Sequence, residues 1–286
     1  MKYNILKLSI IALFLVIIYI QSFTETNKEN VKPKQNKQLK DNLTLKEENI
    51  LNNKVLNIEN KFNINIKIKD EAMIKFPDFN AEKETNTNII TKTLFKLEKI
   101  LNKYNKEFFN SFYNNDYNGL NIYLTSTLTP KDYETQISNP AAYSLTYNNE
   151  YMIVIDINQT NVEGLLCHEI MHNLEFNLNN NNIYAFSKWD TYNPSNFYYN
   201  YSYTKENIFG YTLTEKNIEN IYFIDIYSHT YPLEDRARIF ENICAYDEKS
   251  IIKMYPNLYN KALYLKEEIL ANYPTLTYTN LFNSLN

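Results

Sequence analysis

Five consecutive residues, His168-Glu169-Ile170-Met171-His172, concentrate the reactive side chains of a 286-residue chain that holds only three histidines. On a helix, side chains four apart share a face, so His168 and His172 can offer ring nitrogens to one cation. Glu169 projects about 100° further round the same helix, beside the pair rather than between them. From there a carboxylate can take a proton from a water held by the cation, which is the chemistry of metal-assisted hydrolysis by an H-E-x-x-H motif. The plain alternative is a histidine pair on a helix face that binds nothing.

Two histidines leave a zinc ion short of one protein ligand and of an open position for water. Glu175 and Leu178 stand where a longer H-E-x-x-H-x-x-G-x-x-H motif would place its Gly and third His, so the third ligand must come from elsewhere. The candidates are His229 and a carboxylate on a later helix, where Glu234, Arg238 and Glu241 return to one face at offsets of four and seven. Glu234 falls in the first turn after Pro232, an end that can face the histidine helix. Glu175, three residues after His172, either orients a ligand histidine or is a solvated acid. Cys167 and Cys244 lie on the two helices concerned. They can pair outside the cytoplasm, although two buried free thiols are the preferred expectation. Arg236 and Arg238 are the only arginines, and one is expected to pair with Glu241 or Glu175.

The elements that must position these groups read as an α+β domain, with strands mainly first and helices later. Phe62, Ile64, Ile66 and Ile68 alternate with polar residues as in a half-buried strand. Apolar residues from Asn86 to Phe112 recur at helical spacing and predict one long helix. Residues 119–128 read as a strand, and Tyr143–Tyr147 with Tyr151–Asp156 as a hairpin turning at Asn148-Asn149. Helices are expected over Asn161–Leu178, Pro232–Tyr246 and Tyr259–Asn272, with Pro232 suited to a first turn. Between the first two, residues 179–216 form a long Tyr/Asn-rich loop containing Trp189, of the kind more often functional than idle.

Composition excludes other classes. Three glycines leave no phosphate-cradling loop, two cysteines cannot make a cysteine zinc site, and a net charge of −4 argues against nucleic acid as a partner. Lys2 and Lys7 precede an apolar run from Leu8 to Ile20, the grammar of an export signal or an uncleaved anchor over residues 1–23. Residues 24–61, rich in Asn, Lys and Glu, read as a disordered polar linker. Residues 1–61 carry +4 and residues 62–286 carry −8, so the expectation is an acidic domain over 62–286 held outside the cytoplasm, secreted or membrane-anchored.

The residues His168 to His172, followed by Tyr227-Ser228-His229-Thr230-Tyr231-Pro232-Leu233-Glu234 and then Ala237 and Glu241, resemble the gluzincin metallopeptidases. They are most similar to the group containing the lethal-factor catalytic domain, Pro-Pro endopeptidases and Mlc titration factor peptidases. The resemblance covers about residues 161–247 and rests on H-E-x-x-H plus a downstream Tyr-x6-Glu. It implies a zincin-like fold, one Zn2+ held by His168, His172 and Glu234, and Glu169 as general base. It further implies Tyr227 as the hydroxyl that steadies the oxyanion and Glu241 as a group behind a ligand. The resulting expectation is a monomeric exported zinc protease acting on peptides or proteins. The alternative is a non-catalytic surface-anchored binding module that retains the fold.

Overall fold

The computed structural model describes residues 32–114, 116–131, 139–203, 215–246 and 251–285. The chain divides into two units, Met1–Asn52 and Asn53–Asn286, and the larger holds every element after the first helix. In chain order these are α1 (Lys32–Phe62), β1 (Asn65–Lys67), β2 (Phe79–Ala81), α2 (Thr87–Leu101), α3 (Lys106–Asn110), β3 (Leu120–Thr125) and β4 (Leu128–Pro130), followed by β5 (Ala142–Tyr147), β6 (Glu150–Asp156), α4 (Val162–Asn181), α5 (Pro232–Ala245) and α6 (Pro256–Asn272). The result is mixed α/β, with six helices among the described residues and one four-stranded sheet in the order β1-β3-β6-β5.

β1, β3 and β6 run parallel, and β5 returns antiparallel along the edge of β6. The reversal is made by Asn148 and Asn149, at φ 51° and 62°, because a two-residue hairpin turn needs positive φ at both positions and asparagine tolerates it. Alternation along the strands then sorts the faces. Tyr123, Leu145, Met152 and Val154 share one face and pack with Ala72, Phe76 and Leu128. Ser144 faces the other way, onto α4. Its hydroxyl donates to Glu169 O at 3.0 Å and accepts from Asn173 Nδ2 at 2.9 Å. Asn173 also donates to Met152 O, so one buried amide fastens the histidine helix to two strands.

Several boundaries differ from the sequence expectation. The segment read as a linker is helical from Lys32 onward. Val55, Ile58 and Phe62 recur at helical spacing and are buried, a stripe that the polar average composition conceals. Phe62 therefore ends a helix, and the strand begins only at Asn65. The single helix expected over residues 86–112 is two. Asn86 caps α2 through Asn88 N and Ile89 N, while Asn105 caps α3 through Phe108 N at 2.9 Å and so starts a new helix. The strand at residues 119–128 stops at Thr125, and Leu128–Pro130 leaves the sheet to pair with β2. The proposed export segment lies outside the described residues. Among those described, no helix is long and apolar enough to cross a membrane.

The two cysteines are paired, which corrects the expectation of free thiols. Cys167 of α4 and Cys244 of α5 form a disulfide with Cα atoms 6.0 Å apart, because the two helices pack directly on each other. Both residues are fully buried. Replacing both by Ala is expected to cost about 2–5 kcal/mol, read as a lower urea midpoint than that of the oxidised protein. An unchanged midpoint would show that the bond contributes nothing.

Candidate metal centre

Helix α4 starts at Asn161, whose side chain accepts from Gly164 N at 3.1 Å and donates to Glu241 Oε1 at 3.0 Å. A Cβ on Gly164 would lie 2.2 Å from Asn161 Nδ2 and 2.6 Å from Glu241 Oε1, so only glycine lets α5 approach this closely. Helix α5 starts with Pro232 at its first turn, where a missing N–H costs nothing. Just upstream, Asp225 accepts from Ser228 N and Ser228 Oγ, both at 2.9 Å, and fixes the short turn Tyr227–His229. The packing of α4 on α5 then brings three buried donors together.

His168 Nε2 lies 3.1 Å from His172 Nε2 and 3.1 Å from Glu234 Oε2, and His172 Nε2 lies 3.3 Å from the same oxygen. His168, His172 and Glu234 form the one cluster of three such ligands among the described residues. Donors held about 2.0–2.1 Å from a tetrahedral ion are about 3.3 Å apart, so the observed triangle fits that coordination. Its chemistry fits as well, since two imidazoles and a carboxylate are a zinc donor set. Glu169 is buried beside the trio, and its Oε2 has no hydrogen-bond partner among the described residues.

The charge balance favours a cation. Burial opposes an imidazolium at His168, but the facing Glu234 and Glu241 carboxylates hold its pKa up at about 10. Burial likewise opposes the Glu234 anion, yet His172 and His168 keep its carboxyl well below the usual range. Glu241 stands behind His168, with Oε2 3.5 Å from Nδ1 and 2.7 Å from an Arg238 nitrogen. Despite burial, His168 and Arg238 hold the Glu241 carboxyl down at about 2. Arg238 also reaches Asp225 at 3.1 Å, so one guanidinium ties the helix start to the turn before it.

The other sequence candidates fall into place around this centre. The Tyr227 ring lies 6.4 Å from the His168 ring and beneath the Arg238 guanidinium at 5.2 Å. Burial, then the Glu234 charge, raises its pKa well above the usual phenol value, so its hydroxyl is a donor. His229 is instead packed among the rings of Phe197 and Phe223, at 5.3 and 4.3 Å, and is not part of the cluster. Glu175 is buried and accepts two 2.7 Å bonds from Arg236, so it braces α4 against α5 rather than being solvated. Trp189 packs under the long loop and donates to Asp235 Oδ2 at 3.1 Å.

Two contributors escaped sequence reasoning. Tyr203 donates to Glu234 Oε1 at 2.6 Å from within an aperiodic loop, where nothing local marks it. Lys261 is fully buried on α6 and pairs with Asp235 at 2.7 Å. Its position between Leu258 and Leu265 on an apolar face was the available signal.

No protein-family profile matches the chain, and no curated protein matches it in sequence. Among solved structures, it resembles the crystal structure of a candidate zinc-binding metallo-peptidase from Bacteroides caccae. The two share 14% identity with a TM-score of 0.49, over 84% of this chain and 90% of that one. What marks the centre in this chain is its own donor geometry.

Proposed function

We propose that the protein is an exported zinc-dependent endopeptidase. The observation that carries this reading is the triangle of His168 Nε2, His172 Nε2 and Glu234 Oε2, with Glu169 beside it and its Oε2 unpartnered among the described residues. His168, His172 and Glu234 would hold one Zn2+. That ion, when bound, supplies a Lewis acid that polarises a peptide carbonyl and brings the pKa of water toward neutrality. Glu169 accepts the proton released as water attacks the carbonyl carbon, then returns it to the departing amine. Tyr227, protonated and a donor, offsets charge growing on the carbonyl oxygen. Glu241 keeps the His168 ring oriented from its far nitrogen. The substrate has a ready berth along β5, whose outer edge pairs with no strand among the described residues and can accept an extended peptide. Export rests on the basic and apolar N-terminal run, from Lys2 to Ile20.

Metal analysis of the purified protein is expected to find one zinc per chain, with chelator-sensitive cleavage of a mixed peptide library. His172→Ala should lose both zinc and cleavage. A protein that binds no zinc and cleaves nothing would instead be the non-catalytic module.

A further inference from the structure

The long loop between α4 and α5 supplies the metal centre with a hydroxyl that no motif announces. Asn200 N donates to His229 O at 2.9 Å and Tyr201 N to Thr230 O at 2.8 Å, so the loop is laced to the turn that opens α5. Tyr201 then adopts φ 52°, a left-handed conformation that a bulky residue rarely takes. The strained turn aims Tyr203 at the centre. Its O–H donates to Glu234 Oε1, leaving Oε2 as the oxygen that faces His168 and His172. The Tyr203 ring lies between Tyr227, at 5.9 Å and 27°, and Tyr231, at 4.7 Å. A carboxylate oxygen only accepts, so in this 2.6 Å contact the Tyr203 hydroxyl is the donor.

We propose that Tyr203 is a positioning residue, whose hydroxyl pins Glu234 by one oxygen so that the other alone is presented to the cation. The proposal rests on the reading of Glu234 as a metal ligand. A carboxylate with both oxygens free turns about its last torsion and must be ordered when the metal arrives. One held through Oε1 is already ordered, which raises affinity and slows metal loss. Groups that hold a ligand in this way typically contribute a factor of about 10–100 in metal affinity.

Tyr203→Phe removes the hydroxyl and keeps the ring stack. Zinc affinity, measured by competition with a chromophoric chelator, is expected to fall about 10–100-fold. The thermal midpoint of the zinc-free protein should fall only by the loss of this one hydrogen bond, far less than that of a variant that no longer folds. In the cobalt-substituted variant, the visible bands should change intensity as the freed carboxylate alters its coordination. Tyr227→Phe, which leaves Glu234 pinned, should bind zinc as the unaltered chain does. Unchanged affinity and cobalt spectrum in Tyr203→Phe would overturn the proposal, as would a fall confined to the zinc-free midpoint. Glu234→Ala separates the two levels. If it loses zinc while Tyr203→Phe does not, only the role of Tyr203 fails; if it binds zinc normally, the ligand assignment fails with it.

Discussion

Glu169→Gln is expected to bind zinc as the unaltered protein does and to hydrolyse peptides about 10²–10⁴-fold more slowly, the usual contribution of a positioned general base. The amide has nearly the same shape as the carboxylate, so α4 and its packing should survive. Glu169 lies outside the His168–His172–Glu234 triangle, so the metal donors are untouched. What is lost is the proton acceptor, because Gln can neither take the proton from water nor hand it to the departing amine. Burial makes the substitution clean, since the Glu169 Oε2 atom has no hydrogen-bond partner among the described residues for the amide to lose. The decisive pair of measurements is zinc content and kcat/KM on one peptide. Full activity with zinc bound would remove Glu169 from the mechanism, whereas loss of zinc would mean that the carboxylate holds the site together.

Lys261→Met is expected to destabilise the protein by about 3–5 kcal/mol, the cost of leaving one member of a buried ion pair alone. Asp235 and Lys261 both have side chains 0% exposed. Asp235 Oδ2 accepts from Lys261 Nζ at 2.7 Å, Tyr199 O–H at 2.9 Å and Trp189 Nε1 at 3.1 Å. The ammonium also lies 4.0 Å over the Phe223 ring. Burial raises the pKa of Asp235 and lowers that of Lys261, and each charge restrains the shift of the other. With Lys261 removed, the Asp235 pKa in the folded state rises further above its unfolded value. The folded variant can then recover part of the loss by taking up a proton, so the deficit should grow as pH rises and shrink toward the acid range. Urea denaturation at two pH values measures this directly. Lys261→Met combined with Asp235→Leu should recover most of the loss, since neither charge is then buried alone. A single variant within about 0.5 kcal/mol of the unaltered protein would show that the pair contributes little. Because Asp235 adjoins Glu234 in the first turn of α5, the single variant should also bind zinc more weakly.

The motif and its helix were legible in sequence because both depend on local rules. His168, Glu169 and His172 are set on one helix by 3.6 residues per turn. The Asn148-Asn149 hairpin follows from the positive φ its turn requires, and Pro232 marks the start of α5 within one residue. Average composition misled at α1, where a buried stripe of Val55, Ile58 and Phe62 runs through a polar segment. Caps misled by omission at Asn105, which divides one apparent helix into α2 and α3.

What the chain determined by itself was therefore which residues could bind a cation, through short-range spacing. Only the tertiary structure decided between Glu234 and His229 as neighbours of the histidines, because that choice depends on how α5 packs on α4 across some 60 residues of chain. It also paired Cys167 with Cys244, buried the Asp235–Lys261 pair, and brought Tyr203 onto Glu234 from a loop without periodicity. These contacts join groups distant in sequence. Their energies come from burial and from two-body geometry that exist only once the helices have packed.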